Sequence, residues 1–183
     1  DASWSRGLGD VYKRQVIKDV NDDEVIDIIN HMKNFKSEIR FIEYMDVGES
    51  NKWDPSKVVS SESLLEKINE HYSLKQMKTE TSSTAKKWHI KDSNCSIGLI
   101  SSITQPFCSS CNRARLSVDG KLFTCLFASN GFDIKSVIRS DGYEEKLLEF
   151  FKKIWMERSD QYSQIRFSSK RDLPKVEMSY IGG

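Results

Sequence analysis

The sequence lacks an excess of charge of either sign, and it lacks any long apolar run. Its 183 residues include 28 Lys and Arg against 27 Asp and Glu, which gives a formal net charge of +1. A chain this close to neutrality is not drawn as a whole to nucleic acid or to an anionic membrane, so recognition of an anion must be local. No apolar stretch approaches the ~20 residues of a membrane-spanning helix. We therefore expect no nucleic-acid partner and no membrane partner.

Cysteine is also scarce, and no secretory signal is visible. The four cysteines could form two disulfides in a secreted protein, but three of them, Cys108, Cys111 and Cys125, lie in one short segment. That clustering favours a reducing, cytoplasmic compartment and metal ligation. Cys95 stands apart in an apolar stretch, where a lone cysteine is more often a small buried hydrophobe than a ligand.

The first fifteen residues, DASWSRGLGDVYKRQ, do not resemble a natural N-terminus. Residues 10–15 are what a sequencing adapter would encode if it were translated. We expect residues 1–15 to be a non-native leader and leave them out of the fold prediction, the alternative being a disordered natural terminus. The expected divisions are then residues 16–55 and 56–183.

Residues 21–45 carry the pattern of one helix followed by one strand. The cap-and-acid run from Asn21 precedes apolar residues at helical spacing, and residues 38–45 alternate. Helix, short link and strand make half of a βαβ unit, which predicts a parallel sheet or barrel. Met45 lies at the carboxyl end of the strand, the end that faces the ligand in such folds.

The pattern changes after a second predicted helix that begins near Ser60. Short strand-like runs cover residues 73–77, 86–91, 95–103, 113–118 and 121–127, and they predict antiparallel strands. Asp119-Gly120 is a hairpin turn signal. Two further helices are expected at residues 134–138 and 143–158. The predicted core face of the second is a set of large apolar residues: Leu147, Leu148, Phe151 and Trp155.

The cysteine segment predicts a metal site beside an anion site. Cys-x-x-Cys places two thiolates on one turn, and Cys125 can return to them across the hairpin. Zinc would need a fourth ligand, whereas a 4Fe-4S cluster would keep one iron open, and the residues alone leave both choices open. Arg113 and Arg115 share one face of the predicted strand and suit a phosphate chain. The alternative for them is an ordinary solvated strand face.

The run CSSCNRARLSVDGKLFTCLF, residues 108–127, resembles the second-cluster segment of the GTP 3',8-cyclases of molybdenum cofactor biosynthesis, a family of radical S-adenosylmethionine enzymes. Further matches are VIKDVNDD (16–23), IRFIEYMDVG (39–48), Trp53-Asp54 and the closing YIGG. The resemblance covers residues 16–183. It implies an α/β fold in which residues 16–55 end an incomplete TIM-type barrel. Residues 56–183 would form an α+β cluster-binding extension with antiparallel strands.

The resemblance also implies a chemistry and the residues that serve it. Cys108, Cys111 and Cys125 would hold the second 4Fe-4S cluster, whose open iron binds the guanine of GTP. The segment that contacts GTP corresponds to Arg113, Ala114 and Arg115. Met45 corresponds to a position that lines the S-adenosylmethionine site, and the tail Gly182-Gly183 would reach into the active site. The implied reaction is radical rearrangement of GTP to 3',8-cyclo-7,8-dihydroguanosine triphosphate.

One departure from the family pattern is large. The chain contains no Cys-x-x-x-Cys-x-x-Cys, the motif that holds the first 4Fe-4S cluster and cleaves S-adenosylmethionine. We expect a C-terminal fragment that is inactive alone. The full-length protein is expected to form a homodimer and to pass its product to the cyclic pyranopterin monophosphate synthase. Two alternatives remain: a zinc-binding interaction module that adds His89 or water to the three cysteines, and the auxiliary-cluster region of a peptide-modifying radical enzyme.

Overall fold

The computed structural model describes residues 11–48, 50, 52–165 and 176–181. The chain folds as two compact units. The first contains residues 1–45 and 54–107, and the second contains residues 46–53 and 108–183. The units are defined by packing, and the division predicted at residues 55 and 56 stays a prediction.

The first unit is built on a mixed five-stranded sheet in the order β1-β2-β5-β4-β3. The strands are β1 Val11–Val16, β2 Glu38–Glu43, β3 Leu74–Gln76, β4 Lys86–Ile90 and β5 Ser96–Ile100. Strands β1, β2 and β5 run parallel, whereas β3, β4 and β5 pair antiparallel. The expectation of purely antiparallel strands after residue 72 was wrong for β5, because this nearly all-buried strand also pairs with β2. The described residues form a mixed α/β fold without a closed barrel.

Strand β1 includes residues 11–15, which belong to the expected non-native leader. Each of them pairs in parallel register with β2, from Val11 opposite Glu38 to Gln15 opposite Ile42. Extended backbone can pair in this way whatever the origin of its sequence, because the ladder bonds are made by the main chain. The non-native origin of residues 1–15 therefore stays a prediction.

Two helices supply the other half of the first unit's core. Helix α1 spans Val25–Met32 and helix α2 spans Ser61–Asn69. The Ser60 hydroxyl caps α2 by accepting from the Ser63 N–H at 3.1 Å. Asn21 does not cap α1 as predicted. Its side chain instead bridges the loop after β1, accepting from the Ile17 N–H at 2.8 Å and donating to the Gln15 carbonyl at 3.0 Å.

A carboxylate is buried at the carboxyl end of β2, where the sequence predicted a strand but no buried charge. Glu43 is completely buried. Its carboxylate accepts from the backbone N–H groups of Ser61, Ile103 and Thr104, each at 2.8 Å, and from the Thr104 hydroxyl at 2.6 Å. Because Ser61 opens α2, the negative charge also lies at the positive end of a helix. Glu43 thus joins β2, α2 and the loop after β5 in front of Met45.

The second unit holds a three-stranded antiparallel sheet in the order β6-β7-β8. The strands are β6 Arg115–Leu116, β7 Lys121–Phe123 and β8 Phe132–Asp133. Gly120 has φ +86° in the turn between β6 and β7, which agrees with the predicted hairpin. Both strands of the hairpin are shorter than predicted, and Arg113 lies before β6.

The helices of the second unit are α3 Ile134–Ile138, α4 Tyr143–Met156 and α5 Tyr162–Ile165. The predicted core face of α4 was wrong in part, because Leu147 is half-buried but the other three predicted residues are exposed. Leu148 is 56% exposed and Trp155 is 42% exposed, whereas Ile154 is buried. Trp155 is covered in part by the guanidinium of Arg158, which lies 4.8 Å from its ring centroid. No helix in the described part of the chain is both long enough and apolar enough to cross a bilayer.

Candidate cysteine and arginine site

The three clustered cysteines are placed by two short turns of the second unit. Cys108 begins a 3-10 turn, Cys108–Ser110, and the Cys111 N–H donates to the Cys108 carbonyl at 3.1 Å. Cys125 follows β7, and its sulfur accepts from the Phe127 N–H at 3.4 Å. All three side chains are partly buried free thiols. Cys108 and Cys111 thus precede the β6–β7 hairpin in the chain, and Cys125 follows it.

Cys125 and Arg115 lie close enough to the other thiols for their charges to interact. Burial raises the pKa of Cys125, and negative charge on Cys108 adds to the rise. Burial lowers the pKa of Arg115, and negative charge on Cys125 and Cys111 opposes that change. These effects act over a limited distance, because exposed charges separated by more than about 8–10 Å are largely screened at ordinary ionic strength. The structure thus brings the three predicted ligands and Arg115 together.

Arg113 lies directly against one of the thiols. Its Nε and Nη2 donate to the Cys111 sulfur at 3.3 and 3.0 Å. Ala114 is exposed beside it, and Arg115 is half-buried in β6. Burial, followed by the neighbouring charge of Arg113, lowers the pKa of Arg115. Two guanidiniums that repel each other in a partly dry site are suited to share an anion.

Arg158 is a residue of this site that sequence reasoning missed. It follows α4, and its Nη1 donates to the Cys111 carbonyl at 2.8 Å while its Nε pairs with Asp160 at 3.0 Å. Burial lowers the pKa of Arg158, but the neighbouring Cys111 and Asp160 raise it by more. The only local signal was an Arg-x-Asp sequence beyond the helix end, which is too common to indicate a site.

The thiols differ in their tendency to ionise. Burial opposes ionisation of Cys111, but the Arg113 N–H, Arg158 and the Arg113 side chain outweigh it, and the pKa of Cys111 lies below its usual value. Burial raises the pKa of Cys125, and the Phe127 N–H offsets this only in part. Because the thiolate is the form that binds metals, Cys111 is better prepared as a ligand than Cys125.

The types of the donor atoms at this site suit a metal, but their spacing does not. Three neighbouring thiols with cationic neighbours are a suitable donor set for zinc or for an iron–sulfur cluster. Within the residues that the structure describes, however, no three His, Cys, Asp or Glu side chains are arranged to hold a metal ion. The residue types therefore fit such a group, while the ligand geometry is not formed.

Of the remaining predicted residues, His89 and Met45 belong to the first unit. His89 is on β4 of the first unit, opposite Lys75 and Ser96. Met45 follows β2 in the same unit, two residues beyond the buried Glu43. Gly182 and Gly183 lie outside the described residues. The roles predicted for all of these, and for the cysteines and arginines above, stay predictions.

Comparison with known proteins places most of the chain in one family. The family model described as Molybdenum Cofactor Synthesis C matches residues 37–164. Similar proteins named GTP 3',8-cyclase come from Staphylococcus aureus strains JH9, Newman and Mu3. Each is 42% identical over 188 residues, a match that covers 100% of this chain and 55% of the relative. The chain therefore spans about half the length of the curated relatives that it matches.

Proposed function

The chain belongs to the Molybdenum Cofactor Synthesis C family, and on this basis we propose that it forms the GTP-binding part of a GTP 3',8-cyclase. The relatives that carry this name align with the whole of the chain. The proposal includes the incomplete TIM-type barrel, to which helix α1 and strand β2 of residues 16–55 would contribute. It also includes radical S-adenosylmethionine chemistry in the complete protein.

The observation that carries the proposal is the convergence of thiols and guanidiniums in the second unit. Cys111 contacts Arg113 and Arg158, and Arg115 is close enough to Cys111 and Cys125 to respond to their charge. In such a site the thiols can hold a metal centre that binds a nucleotide base, and the fixed cations can bind the polyphosphate of the same nucleotide. A closed structural zinc site needs four protein ligands, whereas this segment offers three thiols. GTP therefore suits this site better than a zinc ion alone.

We assign the second 4Fe-4S cluster to Cys108, Cys111 and Cys125. A cluster held by three thiolates supplies one open iron, which can bind the guanine of GTP. The experiment is anaerobic reconstitution with iron and sulfide, followed by analysis of both elements. Cys111→Ala is expected to abolish cluster retention, whereas Cys95→Ala is the matched control, because Cys95 is buried in the core of the first unit. Bound zinc without sulfide would instead favour the interaction module, and equal retention by both variants would contradict the ligand assignment.

We assign the triphosphate of GTP to Arg113 and Arg115, with Ala114 between them. Hydrogen bonds to charged groups are individually worth ~1.5–3 kcal/mol, so Arg113→Ala should weaken GTP binding about 10- to 100-fold. Arg139→Ala is the matched control, because it removes the same charge from an exposed position at the end of α3. GTP affinity is measured by equilibrium dialysis on the reconstituted chain. If Arg113→Ala binds GTP as tightly as Arg139→Ala does, the assignment of Arg113 fails.

The remaining parts of the proposal concern the complete protein. Met45 would line the S-adenosylmethionine site, as expected for a residue just beyond a parallel strand of a barrel. Gly182-Gly183 would approach the substrate closely, which glycine permits because it has no side chain. The complete enzyme would be a homodimer that passes its product to the cyclic pyranopterin monophosphate synthase. The chemistry of the radical steps belongs to the cofactors, and the protein's task is to position GTP and exclude water.

A further inference from the structure

The residues just before the Gly-Gly tail form a compact turn packed into the second unit. The Tyr180 N–H donates to the Glu177 carbonyl at 3.1 Å, and the Ile181 N–H donates to the Met178 carbonyl at 3.2 Å. Ile181 is completely buried. Chain ends are usually poorly ordered unless they are tied down. Residues 176–181 are held in place by one buried apolar side chain and by two polar side chains that bind different parts of the second unit.

The first anchor is Tyr180, which holds the turn to the β6–β7 hairpin. Its hydroxyl donates to Asp119 Oδ2 at 2.7 Å, and its ring meets Phe123 edge to face, with centroids 6.2 Å apart. The Ser117 hydroxyl donates to the other Asp119 oxygen at 2.5 Å. Hydrogen bonds from Ser117 and Tyr180 lower the pKa of Asp119 to about 2. This carboxylate therefore stays charged and available as an acceptor at neutral pH.

The second anchor is Glu177, which holds the turn to the loop after Met45. Its carboxylate accepts from the Ser50 N–H at 3.1 Å and from the Ser50 hydroxyl at 3.2 Å. The carboxylate lies over Gly48, where an added Cβ would come within 2.2 Å of Glu177 Oε2. Gly48 also has φ +71°, a backbone conformation that favours glycine. The Glu177 carboxylate favours glycine there as well, because it occupies the space that a side chain would need.

We propose that residues 176–181 are a strap in which Glu177 and Tyr180 act as positioning residues. The strap fixes the loop at Gly48 and Ser50 relative to the β6–β7 hairpin. The loop follows directly on Met45, and the hairpin begins at Arg115 and ends just before Cys125. The consequence for substrate rests on the proposed function: the strap sets the spacing of loop and hairpin that GTP binding requires.

The distinctive expectation is coupling between the two anchors, measured by amide hydrogen exchange. Tyr180→Phe removes only a hydroxyl at the hairpin, yet it should raise exchange of the Ser50 amide about 10-fold, because the lost bond is to a charged acceptor. Glu177→Gln should likewise raise exchange at residues 117–123. Tyr143→Phe, an exposed tyrosine on α4, is the control and should change neither. Exchange that rises only at the mutated end would overturn the strap.

GTP titration of the anaerobically reconstituted chain separates positioning from the proposed function. Tyr180→Phe and Glu177→Gln should weaken GTP binding about 10-fold, whereas Tyr143→Phe should leave GTP binding unchanged. If wild-type chain binds GTP and both variants bind it equally well, their positioning role is refuted. If wild-type chain binds no GTP, the proposed function fails instead, and the exchange experiment still decides whether the two anchors are coupled.

Discussion

Glu43 offers a sharp test of how the first unit is held together. Replacing Glu43 by Ala removes the acceptor of three backbone N–H groups and one hydroxyl. Ser61 and Ile103 belong to the buried part of the unit, whereas Thr104 is exposed and can turn to water. Each buried donor left without a partner costs ~1–3 kcal/mol, so the two together cost roughly 2–6 kcal/mol. We expect Glu43→Ala to lower the free energy of unfolding by about 4 kcal/mol, roughly a thousandfold in the unfolding equilibrium.

A more conservative variant separates the hydrogen bonds from the volume of the side chain. In Glu43→Gln the amide oxygen can still accept from Ile103 and Thr104, but the amide NH₂ group faces the Ser61 N–H. One buried donor then loses its partner, and the expected loss is about 2 kcal/mol. Part of this loss is the missing negative charge at the start of α2.

The assay is urea unfolding followed by far-ultraviolet circular dichroism, with Glu66→Gln as the matched control. Glu66 lies on α2 but is exposed, and its replacement should change the free energy of unfolding by less than ~0.5 kcal/mol. The order of stability should be wild type and Glu66→Gln, then Glu43→Gln, then Glu43→Ala. A loss below ~1 kcal/mol for Glu43→Ala would refute the reasoning, because it would mean that these donors find other partners.

The other predictions concern catalysis, packing and pH. The purified chain should form no 5'-deoxyadenosine from S-adenosylmethionine and reductant, because it contains no Cys-x-x-x-Cys-x-x-Cys. Chromatographic detection of 5'-deoxyadenosine above a protein-free blank would contradict this prediction. In urea titrations, Ile154→Ala should lower the free energy of unfolding by about 2–4 kcal/mol, because Ile154 is buried. Leu148→Ala should lower it by less than ~0.5 kcal/mol, because Leu148 is exposed. Equal losses for the two variants would contradict this assignment of the buried face of α4. The Asp119 pKa lies near 2, below its ordinary 3.8, so the attachment of Tyr180 should be complete above pH 4 and lost as the pH falls toward 2. Carbon-13 titration of the Asp119 carboxyl should show this midpoint move upward in Tyr180→Phe, and an unmoved midpoint would exclude the Tyr180 hydrogen bond as its cause.

The sequence predicted most elements because their signals are local. The apolar spacing of α1 and α2, the Ser60 cap and the turn at Gly120 all depend on residues a few positions apart. The cysteine segment was also readable, since Cys-x-x-Cys and a returning third cysteine are close in sequence. The face of α4 was not, because Leu148 and Ile154 lie on different faces of the helix and both are apolar. Which of them is buried depends on the elements against which the helix packs.

The sequence by itself determined the positions of helices α1 to α4, the hairpin and the grouping of thiols with Arg113 and Arg115 along the chain. Only the tertiary structure decided that β5 pairs in parallel with β2, that Glu43 is buried and that Arg158 reaches Cys111. It also decided that Tyr180 meets Asp119 across the second unit. Each of these contacts joins residues tens of positions apart. No period or spacing in the sequence encodes such a contact, which exists only once the chain has folded.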